Sequence, residues 1–132
     1  MLYITGLSAS ALGVLAVMLA LKIVGLRRDN KISLGDGDNL DLQKAIRSHA
    51  NLLEYAPIGL ILIACAELNG VSRWLLALLA LAFVAGRFLH PAGMNKPDNM
   101  KARVLGMQLT LISILVLAAI NVLQVVWRLV AG

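Results

Sequence analysis

Aliphatic runs separated by short polar segments set the organisation of this chain. Residues 1–21 contain no charged side chain, and the run stays apolar to Leu26 except for Lys22. About 20 helical residues cross about 30 Å of hydrocarbon, so this is one full-length span. It lacks a basic leader and a small-residue cleavage site before Arg27, which argues against a signal peptide. Residues 104–127 form a second uncharged stretch long enough to cross.

The middle of the chain is less regular. Glu54 and Glu67 bracket 12 uncharged residues, and Arg73 and Arg87 bracket 13. At 1.5 Å per residue each stretch covers only about 20 Å, so the helices must run past their charges. Asp38 or Asn39 can cap a helix start, Asp41 suits a first turn, and Asn69-Gly70 marks a tight turn. His90-Pro91 predicts a helix end, because a residue before proline avoids the α region. The pattern predicts four helices over about 2–26, 40–68, 72–90 and 102–130 and no strands, in one domain spanning 1–132. Segments 30–39 and 91–99 are the least regular.

Composition identifies the solvent. Of 132 residues, 60% are hydrophobic and 14% charged, and the mean hydropathy is +0.84. A soluble fold of this size cannot hide so much aliphatic surface, which excludes an ordinary globular enzyme and a disordered tail. Cys65 is the only cysteine, which excludes an internal disulfide and a cysteine-based metal cluster. The fold class is all-α integral membrane, a bundle of four transmembrane helices surrounded by membrane lipid.

A net charge of +5 would direct attention to nucleic acid in a soluble protein, but here the basic residues lie between apolar runs. Lys22, Arg27, Arg28, Lys31, Lys44, Arg47, Arg87, Lys96, Lys101 and Arg103 fall on the side of the first and third connections, and Arg73 and Arg128 on the other. The positive-inside rule then puts both longer connections in the cytoplasm and both termini outside. No nucleic-acid partner is needed. Trp74 and Trp127 fall at the outer interface, where aromatic belts form.

Several polar residues sit where a membrane should exclude them. Arg47, Asn51 and Glu54 are spaced by four and three, within about 60° on a helix surface. As a structural device they form an intrahelical Arg47–Glu54 brace. As a functional one they form an inward-facing polar site, and the amide of Asn51, which a brace does not require, favours that. Arg87 and His90 are an i,i+3 pair at the same depth, and Lys101 and Arg103 open the last helix. Together these clusters make a basic cavity suited to an anionic ligand. Two histidines do not point to a metal site. Gly6-x-x-x-Ser10, Ala9-x-x-x-Gly13 and Gly106-x-x-x-Thr110 permit close helix approach, and Asn121 and Gln124 suit interhelical hydrogen bonds. Pro57 kinks its helix and frees the Leu53 carbonyl.

The run Arg47-Ser-His-Ala-Asn51-Leu-Leu-Glu54-Tyr55-Ala-Pro57 resembles the hallmark of the MAPEG family, membrane-associated proteins in eicosanoid and glutathione metabolism. Four helices and an Arg-x-x-His element closing the third agree, and the short connections resemble bacterial members of the inner membrane. The resemblance implies a homotrimer with glutathione held between subunits near the cytoplasmic face, as the thiol cosubstrate of a membrane-bound glutathione transferase or peroxidase acting on lipophilic electrophiles or hydroperoxides. By position it implies that Arg47, Asn51 and Glu54 hold the tripeptide's carboxylates and amine. It further implies that His90 touches glutathione, that Arg27 or Arg28 adds a carboxylate clamp, and that Arg103 is the catalytic arginine beside the thiol. Two positions depart from the pattern: Met94 stands where active members often have tyrosine, and Val104 where some have serine. The alternatives are a non-enzymatic membrane scaffold or subunit, and a small four-helix transporter, for which the first helix lacks a central acidic residue.

Overall fold

A computed structural model of the chain describes residues 1–94 and 100–131. Four helices follow one another: α1 (Tyr3–Asp29), α2 (Leu40–Leu68), α3 (Arg73–Met94) and α4 (Met100–Ala131). All four are long and apolar enough to cross a membrane. They run alternately up and down. The α2–α3 hairpin forms the centre, α1 packs on both of its helices from one side, α4 does so from the other, and α1 and α4 do not touch among the described residues.

Local chemistry sets the helix ends. The Asn39 side chain accepts hydrogen bonds from the Asp41 and Leu42 backbone N–H groups, at 3.0 and 2.9 Å, so Asn39 is the cap of α2. At the other end Gly70 adopts φ +76°. Its N–H donates to the Glu67 carbonyl, and the Val71 N–H to the Ala66 carbonyl. This is a Schellman closure, which glycine enters without a Cβ clash. The same closure ends α1, with Lys31 in the left-handed region.

The N-terminus of α1 has no cap of its own. Glu67, one turn before the hairpin, supplies one: its carboxylate accepts from the Ile4 and Thr5 backbone N–H groups, each at 2.9 Å, and from the Thr5 hydroxyl at 2.7 Å. Free helical N–H groups and the positive end of the helix dipole both favour a carboxylate here. This links the start of α1 to the end of α2 and explains why an acid persists at the membrane boundary. Charged hydrogen bonds contribute about 1.5–3 kcal/mol each, and solvent at the bundle end replaces part of them. Glu67→Ala should therefore destabilise the fold by about 2 kcal/mol, with Glu67→Gln intermediate. Thermal unfolding in detergent tests this, and an unchanged midpoint in the alanine variant would show that the cap contributes nothing.

The expected end of the third helix at His90-Pro91 is overturned: α3 continues through Pro91 to Met94. Proline removes one backbone donor, a modest loss near a helix end, and tertiary packing holds the final turn. Pro91 and Gly93 are buried, and a side chain on Gly93 would collide with the backbone of Arg103 in α4. Of the segment 91–99 expected to be irregular, residues 95–99, including Lys96, lie outside the described residues. Elsewhere α1 runs beyond expectation to Asp29 and α4 starts earlier, at Met100, while α2 keeps its expected bounds. Gly70 and the adjoining turn sit where expected, and α2 passes without interruption through the exposed Pro57.

Contact between α3 and α4 is the closest in the bundle. A methyl group on Gly86 would lie 2.7 Å from the Gly106 carbonyl oxygen and 2.8 Å from Thr110 Oγ1. The spacing of Gly106 and Thr110 therefore does produce close approach. Gly6 and Gly13 meet nothing within 4 Å of a notional Cβ, so their spacing serves no contact inside the chain. Asn121 donates to the Leu62 carbonyl of α2 at 3.0 Å, an interhelical bond of the expected kind. The apolar core joins Leu12, Leu15 and Leu19 of α1 to Leu52 and Ile63 of α2, Leu76 and Phe83 of α3 and Leu117 of α4. Most other large aliphatic side chains point outward, as they must when lipid is the solvent.

Candidate functional site

The polar centre of the bundle is Arg87, 1% exposed and on α3. Its Nε donates to Thr110 Oγ1 of α4 at 2.9 Å, and its Nη1 donates to the Asn51 side-chain oxygen at 3.0 Å and to the Asn51 carbonyl at 3.2 Å. The guanidinium lies 5.2 Å from the centroid of the Tyr55 ring, in range of a cation–π attraction. One side chain thus joins three helices. Thr110 in turn donates to the Gly106 carbonyl, so the close α3–α4 crossing and the arginine depend on each other. Nη2 of Arg87 has no hydrogen-bond partner among the described residues.

Helix geometry explains how the Arg47–Asn51–Glu54 stripe divides. At about 100° per residue, Asn51 is turned about 40° from Arg47 and Glu54 about 20° the other way. That rotation takes Asn51 into the bundle, where it is 8% exposed. Arg47 and Glu54 remain on the outer surface of α2. Neither forms an ion pair or hydrogen bond among the described residues, so the intrahelical brace is absent. Two opposite charges on a membrane-spanning helix are left without partners among the described residues.

The remaining candidates form a second group. His90 is buried, with Nδ1 unpartnered among the described residues. It lines a cavity of about 380 Å³ with Arg103, Val104, Met107, Gln108 and Leu111. His90 and Arg103 therefore face one space, as the convergence of their clusters implied, and the rest of that space is mostly apolar. Arg47, Asn51 and Glu54 are not part of its lining. At the end of α1, Arg28 is exposed and lies 3.5 Å from the carboxylate of Asp29, whereas Arg27 is half-buried with Nη1 unpartnered among the described residues. Of the two, Arg27 has the donor to spare.

On sequence alone Arg87 is the partner of His90 in an i,i+3 pair at cytoplasmic depth, and its role as the residue that organises the bundle is missed. A signal was available. Arg87 follows 13 uncharged residues, and a cation at that depth is costly unless it turns inward and finds acceptors.

Fold and site together define a small integral membrane protein with four helices and a basic polar site near one end of its bundle. The profile of the MAPEG family matches residues 5–123. Over 121 residues the chain is 33% identical to the inner membrane protein YecN of Escherichia coli (strain K12), covering 89% of this chain and 92% of that one. Identity and coverage are the same for the inner membrane protein YecN of Escherichia coli O6:H1 (strain CFT073). The chain belongs to the MAPEG family.

Proposed function

We propose that the protein binds glutathione, or an anionic thiol like it, between subunits of a homotrimer and presents the thiol to lipophilic electrophiles or lipid hydroperoxides. The supporting observation is the pair of unpartnered charges on α2. Ionisable groups on a membrane-spanning surface need a polar counterpart, and Arg47 and Glu54 have none among the described residues. Glutathione carries two carboxylates and one ammonium, which complement arginines and a glutamate. A neighbouring subunit that sets its His90–Arg103 cavity opposite this face unites the two halves of the site. Arg27, whose Nη1 is unpartnered among the described residues, supplies a donor for a carboxylate, and Asn51, fixed by Arg87, offers its remaining side-chain N–H donors. The residue types at this end of the bundle and the positive-inside rule support a site on the cytoplasmic side of a bacterial inner membrane, with both termini outside.

Glutathione titration of the detergent-solubilised protein tests the reading. Arg47→Ala loses a carboxylate partner and Glu54→Ala the ammonium partner, so each should weaken binding by about one to two decades with the trimer intact by mass. Unchanged affinity in both variants would leave these charges a purely structural role. A non-enzymatic scaffold is the second reading, favoured by Met94 and Val104 at positions where the family resemblance implies that active members often have tyrosine and some have serine. It predicts no glutathione binding by the unaltered protein.

A further inference from the structure

At the end of the bundle away from Arg103, two hollows meet on the face between α1 and α3. One, of about 270 Å³, is floored by Ser8, Ala11, Ala77 and Ala80 and walled by Leu7 and Leu81. The other, of about 260 Å³, is lined by Tyr3, Ile4, Glu67, Arg73, Trp74 and Ala77. Ile4 and Ala77 line both, so they form one groove from the helix ends toward the bilayer interior. The deeper part is apolar, because the Ser8 hydroxyl donates to the Ile4 carbonyl of its own helix at 2.8 Å. From Ile4 to Ala11 it runs about 10 Å at the helical rise, while a helix with its side chains is about 10 Å wide. A trough this small fits one flexible chain.

The mouth holds a cation, Arg73, that is unpaired among the described residues. Arg73 is exposed and has no ion pair or hydrogen bond among the described residues, its guanidinium resting 5.3 Å from the Trp74 ring centroid. Glu67 lines the same mouth but is not paired with Arg73, since both carboxylate oxygens accept from the start of α1. No acidic residue occupies the first turn of α3. Trp74 and Trp127 put this end of the bundle at headgroup depth, where the abundant anion is the lipid phosphate.

We propose that this groove holds one acyl chain of an anionic phospholipid whose phosphate pairs with Arg73. The site is separate from the Arg103 cavity and does not depend on glutathione binding.

Trp74 reports on it directly. The chain has two tryptophans, so in a Trp127→Phe background Trp74 is the only tryptophan fluorophore. The protein is reconstituted in phosphatidylcholine vesicles doped with phosphatidylglycerol brominated on its acyl chain, and quenching is compared with that by equally doped brominated phosphatidylcholine. Phosphatidylglycerol should occupy the Trp74 site about fivefold more readily than its bulk fraction, the effect of one interfacial cation. Arg73→Gln should bring that preference close to unity. Ala77→Leu and, independently, Ala11→Leu fill the groove and should lower the quenching by both lipids, with helicity and oligomeric mass unchanged. Equal quenching by the two lipids in the Trp127→Phe protein, unaltered by Arg73→Gln, would be ordinary boundary contact and would overturn the proposal. Absence of quenching by either lipid would overturn it too, by assigning the groove to a second subunit.

Discussion

Arg87→Leu should destabilise the bundle by about 2–4 kcal/mol, the range for breaking a buried hydrogen-bond network. Three donated bonds and the approach to Tyr55 disappear. Part of that loss is recovered, because a guanidinium no longer has to be desolvated. What remains is asymmetric: an aliphatic side chain cannot satisfy Asn51, whose side-chain oxygen then lies buried without its donor. A double-mutant cycle separates these contributions. Asn51→Leu removes the acceptor, and the double variant should be less damaged than the two single losses added together, with a coupling of about 1–3 kcal/mol. Arg87→Lys should recover little, since an ammonium cannot reach Thr110 and Asn51 in a planar fork. Thermal unfolding in detergent measures the unaltered protein and all four variants. Additive effects would mean that Arg87 and Asn51 act independently, against the shared network.

The helices were legible because their signals are local. Charge-free runs, the Asn39 cap and the Asn69-Gly70 turn each depend on residues close in sequence, and the structure has helices and turns at those places. The end of α3 was misread because the rule for a residue preceding proline is also local, whereas Gly93 meets Arg103 through tertiary packing. Small-residue spacing shows the same limit. Gly106 and Thr110 meet α3, but the equally spaced Gly6 and Ser10 face outward. Periodicity assigns residues to a face without telling which helix that face meets. The organising role of Arg87 was hidden for the same reason, its partners lying 36 and 23 residues away in sequence. The stripe on α2 was visible as a stripe. Its division into an inward Asn51 and outward charges depends on how the helix is rotated in the bundle, which a 100° period leaves open.

Arg103→Ala should remove the ultraviolet thiolate signal of bound glutathione near neutral pH while sparing most of its affinity. The magnitudes separate two roles for this side chain. A free thiol of pKa about 8.5 is about 3% ionised at pH 7. If Arg103 lowers that pKa by two units, a shift typical of one close opposite charge, about 75% is ionised. The thiolate signal should then fall about 25-fold in the alanine variant and return as the pH rises past about 8.5. The rate should not follow in proportion. A more acidic thiol is a weaker nucleophile, losing about six- to tenfold over two units, so the pKa effect alone raises the rate at pH 7 only about threefold. Any larger loss of turnover on an electrophile must come from aiming the sulfur, through which the apolar remainder of the cavity, Met107 and Leu111, would face the acceptor. Arg103→Lys distinguishes these effects: it keeps the charge, so most of the thiolate signal should survive, while positioning by the guanidinium plane is lost. A thiolate signal unchanged in Arg103→Ala, with glutathione still bound, would remove Arg103 from the chemistry and leave it as a positive-inside flank of α4.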